Sequence, residues 1–75
     1  AQKIIQDIKL GNNIRSLRKQ SGLTQESVVA YLQLKGLSTS RSSYSQIECG
    51  TYNIRVAELA ALKELFDVSY DDFFI

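Results

Sequence analysis

This chain of 75 residues has one cysteine and no histidine, proline, methionine or tryptophan. A lone thiol permits no intrachain disulfide, so no covalent staple supports the fold. A zinc site draws on about four Cys, His, Asp or Glu ligands, and one cysteine among scattered carboxylates supplies no such set. Without histidine, and without a paired nucleophile and base, no acid–base site is apparent, and an enzyme is the weakest functional reading. No apolar run approaches the roughly 20 residues that span a bilayer. The opening AQKIIQDIK lacks the apolar stretch and small-residue cleavage site of a signal peptide. A cytoplasmic protein is expected, with no metal, cofactor or membrane partner. The chain starts with Ala and holds no Met, which reads as a trimmed N-terminus with Ala1 left from cloning.

What is present is ordinary in amount and uneven in placement. An apolar fraction of 44% and a charged fraction of 23% are typical of a globular domain. The length suits one domain over residues 1–75, with 1–7 frayed or left from cloning. A chain this short buries only about 60% of its unfolded surface, so modest stability is expected. The net charge is +1, but residues 1–55 carry Lys3, Lys9, Arg15, Arg18, Lys19, Lys35, Arg41 and Arg55 against Asp7, Glu26 and Glu48, a balance of +5. Residues 56–75 carry Lys63 against Glu58, Glu64, Asp67, Asp71 and Asp72, a balance of −4. Such a field orients a polyanion toward one end of the molecule and keeps it off the other.

The glycines at 11, 22, 36 and 50 read as breaks, and the apolar spacing between them is helical. Ile4, Ile5, Ile8, Ile14 and Leu17 mark helix 1, firm over about residues 8–20, with residues 1–6 extending it or fraying. Gly22 suits the left-handed position past its end, with Arg18 and Lys19 near the negative end of the dipole. Thr24 is the expected N-cap of helix 2, with Glu26 in its first turn and Val28, Val29 and Leu32 buried. Ser40 caps helix 3, which runs to Cys49 with Gly50 beyond it. Val56, Leu59, Leu62 and Phe66 form the apolar stripe of helix 4, and Ser69 opens a last short turn, with Phe73 closing the core. No segment alternates with period two, so the fold class is all-α with five short helices. Tyr44, Phe66, Tyr70 and Phe73 are expected in the core, and Cys49 as a small filler.

Helix 3 carries Arg41, Ser42, Ser45 and Gln46 on one face and Tyr44 and Ile47 on the other. A helix that must pack on a core and also lie in the major groove of DNA needs that division. The order of features carries more than any one of them: Ile14–Arg18 (IRSLR), Gly22-Leu23-Thr24-Gln25-Glu26, Ser40-Arg41-Ser42, Ser45-Gln46-Ile47-Glu48 with Gly50, Asn53, the Leu59–Leu65 helix and Val68–Phe73 (VSYDDF). In that order the chain resembles the lambda-repressor-like, Cro/C1-type helix-turn-helix transcriptional regulators.

The resemblance implies a compact five-helix domain whose helices 2 and 3 form the motif, with the third, about residues 40–49, in the major groove. It implies base contacts from Arg41, Ser42, Ser45 and Gln46. Arginine forks onto guanine O6 and N7, glutamine onto adenine N6 and N7, and serine is permissive. It implies phosphate contacts from Gln25, Asn53 and Arg55; Ser40 and, beside the long connection, Lys35 are further candidates, with Arg15 and Lys19 adding screening. Glu48 turns inward, where the resemblance pairs it with Arg18. The partner implied is double-stranded DNA, a palindromic operator bound by a homodimer; the apolar end Phe73-Phe74-Ile75 reads as a dimer surface or as a cut edge of a longer chain. Ordinary readings remain beside these: Arg41 as a solvated charge with no acid nearby in sequence, and Arg55 paired with Glu58 three residues on.

The chain departs from the family pattern between the motif helices. The usual turn has about three or four residues, and this one is about five longer. Gln33 stands where a glycine is usual, so helix 2 is expected to run on toward Lys35, with Leu34 and Leu37 covering extra apolar surface. Ile54 stands where a proline is common. The first functional reading is a sequence-specific DNA-binding regulator from a prokaryote or phage. The second is a protein-interaction or antitoxin-like module of the same fold with weak DNA affinity.

Overall fold

The computed structural model describes residues 8–75. The expectations for Ile4, Ile5, residues 1–7 and the Ile8 side chain lie outside the described residues. Four α-helices follow one another: α1 Ile8–Gln20, α2 Gln25–Leu34, α3 Arg41–Cys49 and α4 Val56–Phe66. A 3-10 turn over Tyr70–Phe73 follows them. The described residues are thus all-helical without strands, and the expected fifth helix is a single 3-10 turn. Its four residues are too few to propagate an α-helix.

Local chemistry sets the helix ends. The Ser27 amide donates to Thr24 Oγ1 at 3.1 Å, and the Ser43 amide to Ser40 Oγ at 3.0 Å, so both motif helices open on hydroxyl caps. At the C-terminus of α3, Gly50 takes φ 82. Its amide reaches the Ile47 carbonyl at 3.2 Å and that of Thr51 reaches Gln46 at 3.0 Å. A side chain is strained at that φ, which is why glycine sits there. Gly22 and Gly36 end α1 and α2 in the same way, and Asp67 does so for α4 at φ 56.

Gly11 is not a break. It lies inside α1, buried, and a Cβ there would meet the Ile47 and Glu48 carbonyl oxygens at 2.6 Å. The missing side chain lets α1 cross the backbone of α3 closely. α3 packs on α1 and α2, α2 packs also on α4, and the 3-10 turn returns to α1. Between them lies one core, with Ile14, Val28, Leu32, Tyr44, Ile47, Ile54, Leu62 and Phe73 fully buried. Asn13 Nδ2 closes the far end, donating to the Phe73 carbonyl at 2.9 Å.

Several expectations about burial are corrected. Leu34 is 86% exposed rather than covering apolar surface, because the last residue of α2 projects beyond the core, whereas Leu37 does pack against it. Val56 is half exposed at the first turn of α4, Tyr70 is exposed, and the Cys49 thiol is exposed rather than filling space. Ile54, in place of the loop proline, is a fully buried core residue.

Candidate nucleic-acid interface

The site is built where helix N-termini meet. Arg41, first residue of α3, donates from Nε to Gln25 Oε1 at 3.0 Å, and its Nη1 lies 3.0 Å from Glu26 Oε2. Those partners are the first two residues of α2, so the acid that sequence proximity did not supply comes from the neighbouring helix. Gln25 passes the connection inward, its Nε2 donating to Glu48 Oε1 at 3.0 Å. Arg18 grips Glu48 from α1 through Nε to Oε2 at 2.7 Å and Nη2 to Oε1 at 3.2 Å, a bidentate fork. Its Nη1 donates to the Leu23 carbonyl at 2.9 Å, which ties the α1–α2 turn to the same network.

The electrostatics follow from burial. Removal from water pushes the Glu48 carboxyl up, but the hydrogen bonds from Arg18 and Gln25, with the Tyr44 hydroxyl close by, outweigh it and leave the group below the ordinary glutamate value of 4.5. The same contact raises Arg18 above its ordinary value. Burial, with Glu48 adding to it, holds the Tyr44 phenol far above its usual range. Its hydroxyl lies beside the pair without a hydrogen bond of good geometry. The inner face of α3 is thereby fixed by Tyr44, Ile47 and Glu48, and its outer face is left to solvent: Arg41, Ser42 and Gln46 are exposed and Ser45 half-buried.

A second junction joins α4 to this end of α3. Glu58 is 1% exposed. Its Oε1 accepts the Arg55 backbone amide at 2.9 Å, and its Oε2 accepts the Thr39 hydroxyl. Thr39, itself buried, precedes the α3 cap. The N-termini of α2, α3 and α4 are therefore neighbours around Thr39–Arg41. Each presents amides without an intrahelical partner and the positive end of its dipole, the arrangement that holds anions.

Besides Ser42, Ser45 and Gln46 on the outer face of α3, the expected site residues fall into three groups. Gln25, Arg41, Arg18 and Glu48 form one network, with Ser40 next to it; the Ser40 hydroxyl is taken up in capping α3 and in a 3.1 Å contact with Ser43 Oγ. Asn53 and Arg55 lie in the loop before α4, Asn53 exposed and Arg55 half-buried. The Arg55 guanidinium reaches the Tyr52 hydroxyl at 3.4 Å, and its link to Glu58 runs through the backbone amide instead. Lys35 stands apart, at the other end of α2, roughly 15 Å along the helix from Gln25. There its Nζ meets Glu64 Oε1 at 2.9 Å, and that contact raises Lys35 and lowers Glu64. The Thr39–Glu58 and Arg41–Glu26 contacts escaped sequence reasoning. The one available signal was Glu58 at the third position of α4, where a capping carboxylate is common.

Two packed helices whose N-termini converge, the second offering a polar outer face, define the helix-turn-helix class of DNA-binding proteins. The helix-turn-helix domain family matches residues 11–74. Among solved structures, the restriction-modification controller protein C.AhdI from Aeromonas hydrophila is similar at 30% identity and a TM-score of 0.73. The match covers 89% of this chain and 94% of that one. No curated protein sequence matches. The chain belongs to the lambda-repressor-like, Cro/C1-type helix-turn-helix regulators and is a DNA-binding regulator.

Proposed function

We propose that the chain binds double-stranded DNA sequence-specifically as a single domain, acting as a transcriptional regulator in the cytoplasm of a prokaryote or from a phage. The recognition helix is α3, lying in the major groove. Arg41 and Gln46 read base edges, with Ser42 and Ser45 beside them. Phosphates are held by Gln25, Ser40, Asn53 and Arg55 around the three helix N-termini, and Lys35 reaches the flanking backbone. The observation that carries this reading is the division of α3: its inner face is locked to the core by Tyr44, Ile47 and Glu48, and Arg41, Ser42 and Gln46 are solvent-exposed on the outer one.

A homodimer on a palindromic operator suits the exposed Phe74 and Ile75, with Tyr70 beside them; Phe73, expected on that surface, is instead fully buried in the core. The similarity to a restriction-modification controller supports a regulatory role. Selection of bound duplexes from a random pool tests the proposal. A palindromic consensus with half-sites about one helical turn apart is expected. Recovery of no consensus, or an affinity that does not fall as salt rises, contradicts it.

A further inference from the structure

Glu48 is buried and gripped by Arg18. That leaves Glu26, with a side chain 73% exposed, as the one exposed carboxylate among the described residues from 8 to 55. It stands beside Gln25, on the face where phosphates would approach, and repels them. An acid in the first turn of a helix is favoured by the dipole. The dipole does not account for its position 3.0 Å from Arg41 Nη1, on the neighbouring helix. With Nε held by Gln25, two of the three guanidinium nitrogens of Arg41 are engaged on α2.

We propose that Glu26 is a specificity-determining positioning residue, which clamps Arg41 onto α2 and opposes its capture by an anionic phosphate more than by the neutral edge of a guanine. The inference rests on the DNA-binding reading above. An isolated phosphate merely exchanges one anion for another at Arg41, and must approach against the Glu26 charge. A guanine edge presents O6 and N7 in the geometry of the arginine fork, and that bidentate contact outweighs an exposed ion pair. Glu26 thus lowers affinity for arbitrary sequence more than for the correct site, and specificity rises by the difference.

The test is a double-mutant cycle of wild type, Glu26→Gln, Arg41→Ala and the double variant. Each is titrated by fluorescence anisotropy at one salt concentration against two duplexes: the sequence that wild type selects from a random pool, and a random-sequence duplex of equal length. Glu26→Gln is expected to raise affinity for the random duplex about two- to five-fold and for the selected one by less. The gain is expected to shrink by at least half in the Arg41→Ala background. An equal gain in both backgrounds makes Glu26 a general repulsive charge and overturns the proposal, as does an unchanged ratio between the two duplexes. Failure of the underlying reading shows separately, in wild type alone: equal or absent binding to both duplexes removes it, and this inference with it.

Discussion

Gly11 and Glu48 show how much single positions decide here. In an exposed helix, exchanging glycine for alanine stabilises by about 0.5–1 kcal/mol. At Gly11 the new methyl would lie 2.6 Å from two backbone oxygens of α3, which cannot rotate away. Overpacking of that kind costs about 1–3 kcal/mol, so Gly11→Ala is expected to destabilise in thermal melts despite its better helix propensity. Arg18→Ala removes the fork from a buried carboxylate and is expected to cost on the order of 3 kcal/mol. For a domain of this size that lowers Tm by roughly 10–25 °C, and an unchanged Tm would falsify the structural role of the pair. The Glu48 carboxyl is held below its ordinary 4.5. Its contribution to stability is therefore complete above that value and is lost as pH falls through the lowered one. The stability gap between wild type and Glu48→Gln, followed by denaturant titration at several pH values, is expected to be constant near neutrality and to narrow below about pH 4.5. A gap that widens in acid contradicts the assignment.

Between elements, the lengthened connection from Lys35 to Ser40 is the part of the motif that differs from family expectation. It is held at both ends. Gly36 at φ 86 turns the chain off α2, and the Leu37 amide returns to the Leu32 carbonyl at 3.1 Å. At the far end Gln33 Nε2 donates to the Thr39 carbonyl at 3.2 Å and the Thr39 hydroxyl donates to buried Glu58. The extra residues therefore form a pinned arch, and α3 keeps its Ser40 cap. Thr39→Val preserves shape but takes a donor from a buried carboxylate. It is expected to cost about 1–3 kcal/mol. Because Glu58 links the starts of α3 and α4, amide exchange should quicken at both; acceleration in α3 alone would show that the two are not coupled there.

Across the whole molecule, charge is divided along the chain. The basic residues of α1, α3 and the loop before α4 stand against the acidic group Glu64, Asp67, Asp71 and Asp72 toward the C-terminus. On the proposed reading such a field orients an approaching duplex before contact, and salt screens that guidance within a Debye length of about 8–10 Å. Phosphate and base contacts are separable by how they respond. Arg55→Ala, at a proposed phosphate contact, is expected to weaken binding to every duplex alike and to reduce the slope of log K against log salt by about 1. A loss confined to one sequence would move Arg55 from the phosphate group to the base-reading one.

The sequence by itself determined the helix ends and the division of α3, because both are short-range. A cap acts over three residues, so Thr24 and Ser40 announced their helices. A left-handed terminus favours glycine, so Gly22, Gly36 and Gly50 announced the stops, and the 3.6-residue period placed Tyr44 and Ile47 opposite Arg41 and Gln46. The Arg18–Glu48 contact was legible only through the family resemblance, since nothing local joins residues thirty apart. Only the tertiary structure decided the rest. Gly11 turned from a break into a crossing point because α3 passes it. Ile54 became core and Leu34 surface through where the neighbouring helices end. Arg41 acquired Glu26, and Thr39 acquired Glu58, from elements distant in the chain. Capping and periodicity depend on neighbours along the chain, whereas burial and side-chain pairing depend on neighbours in space, which exist only once the helices have packed.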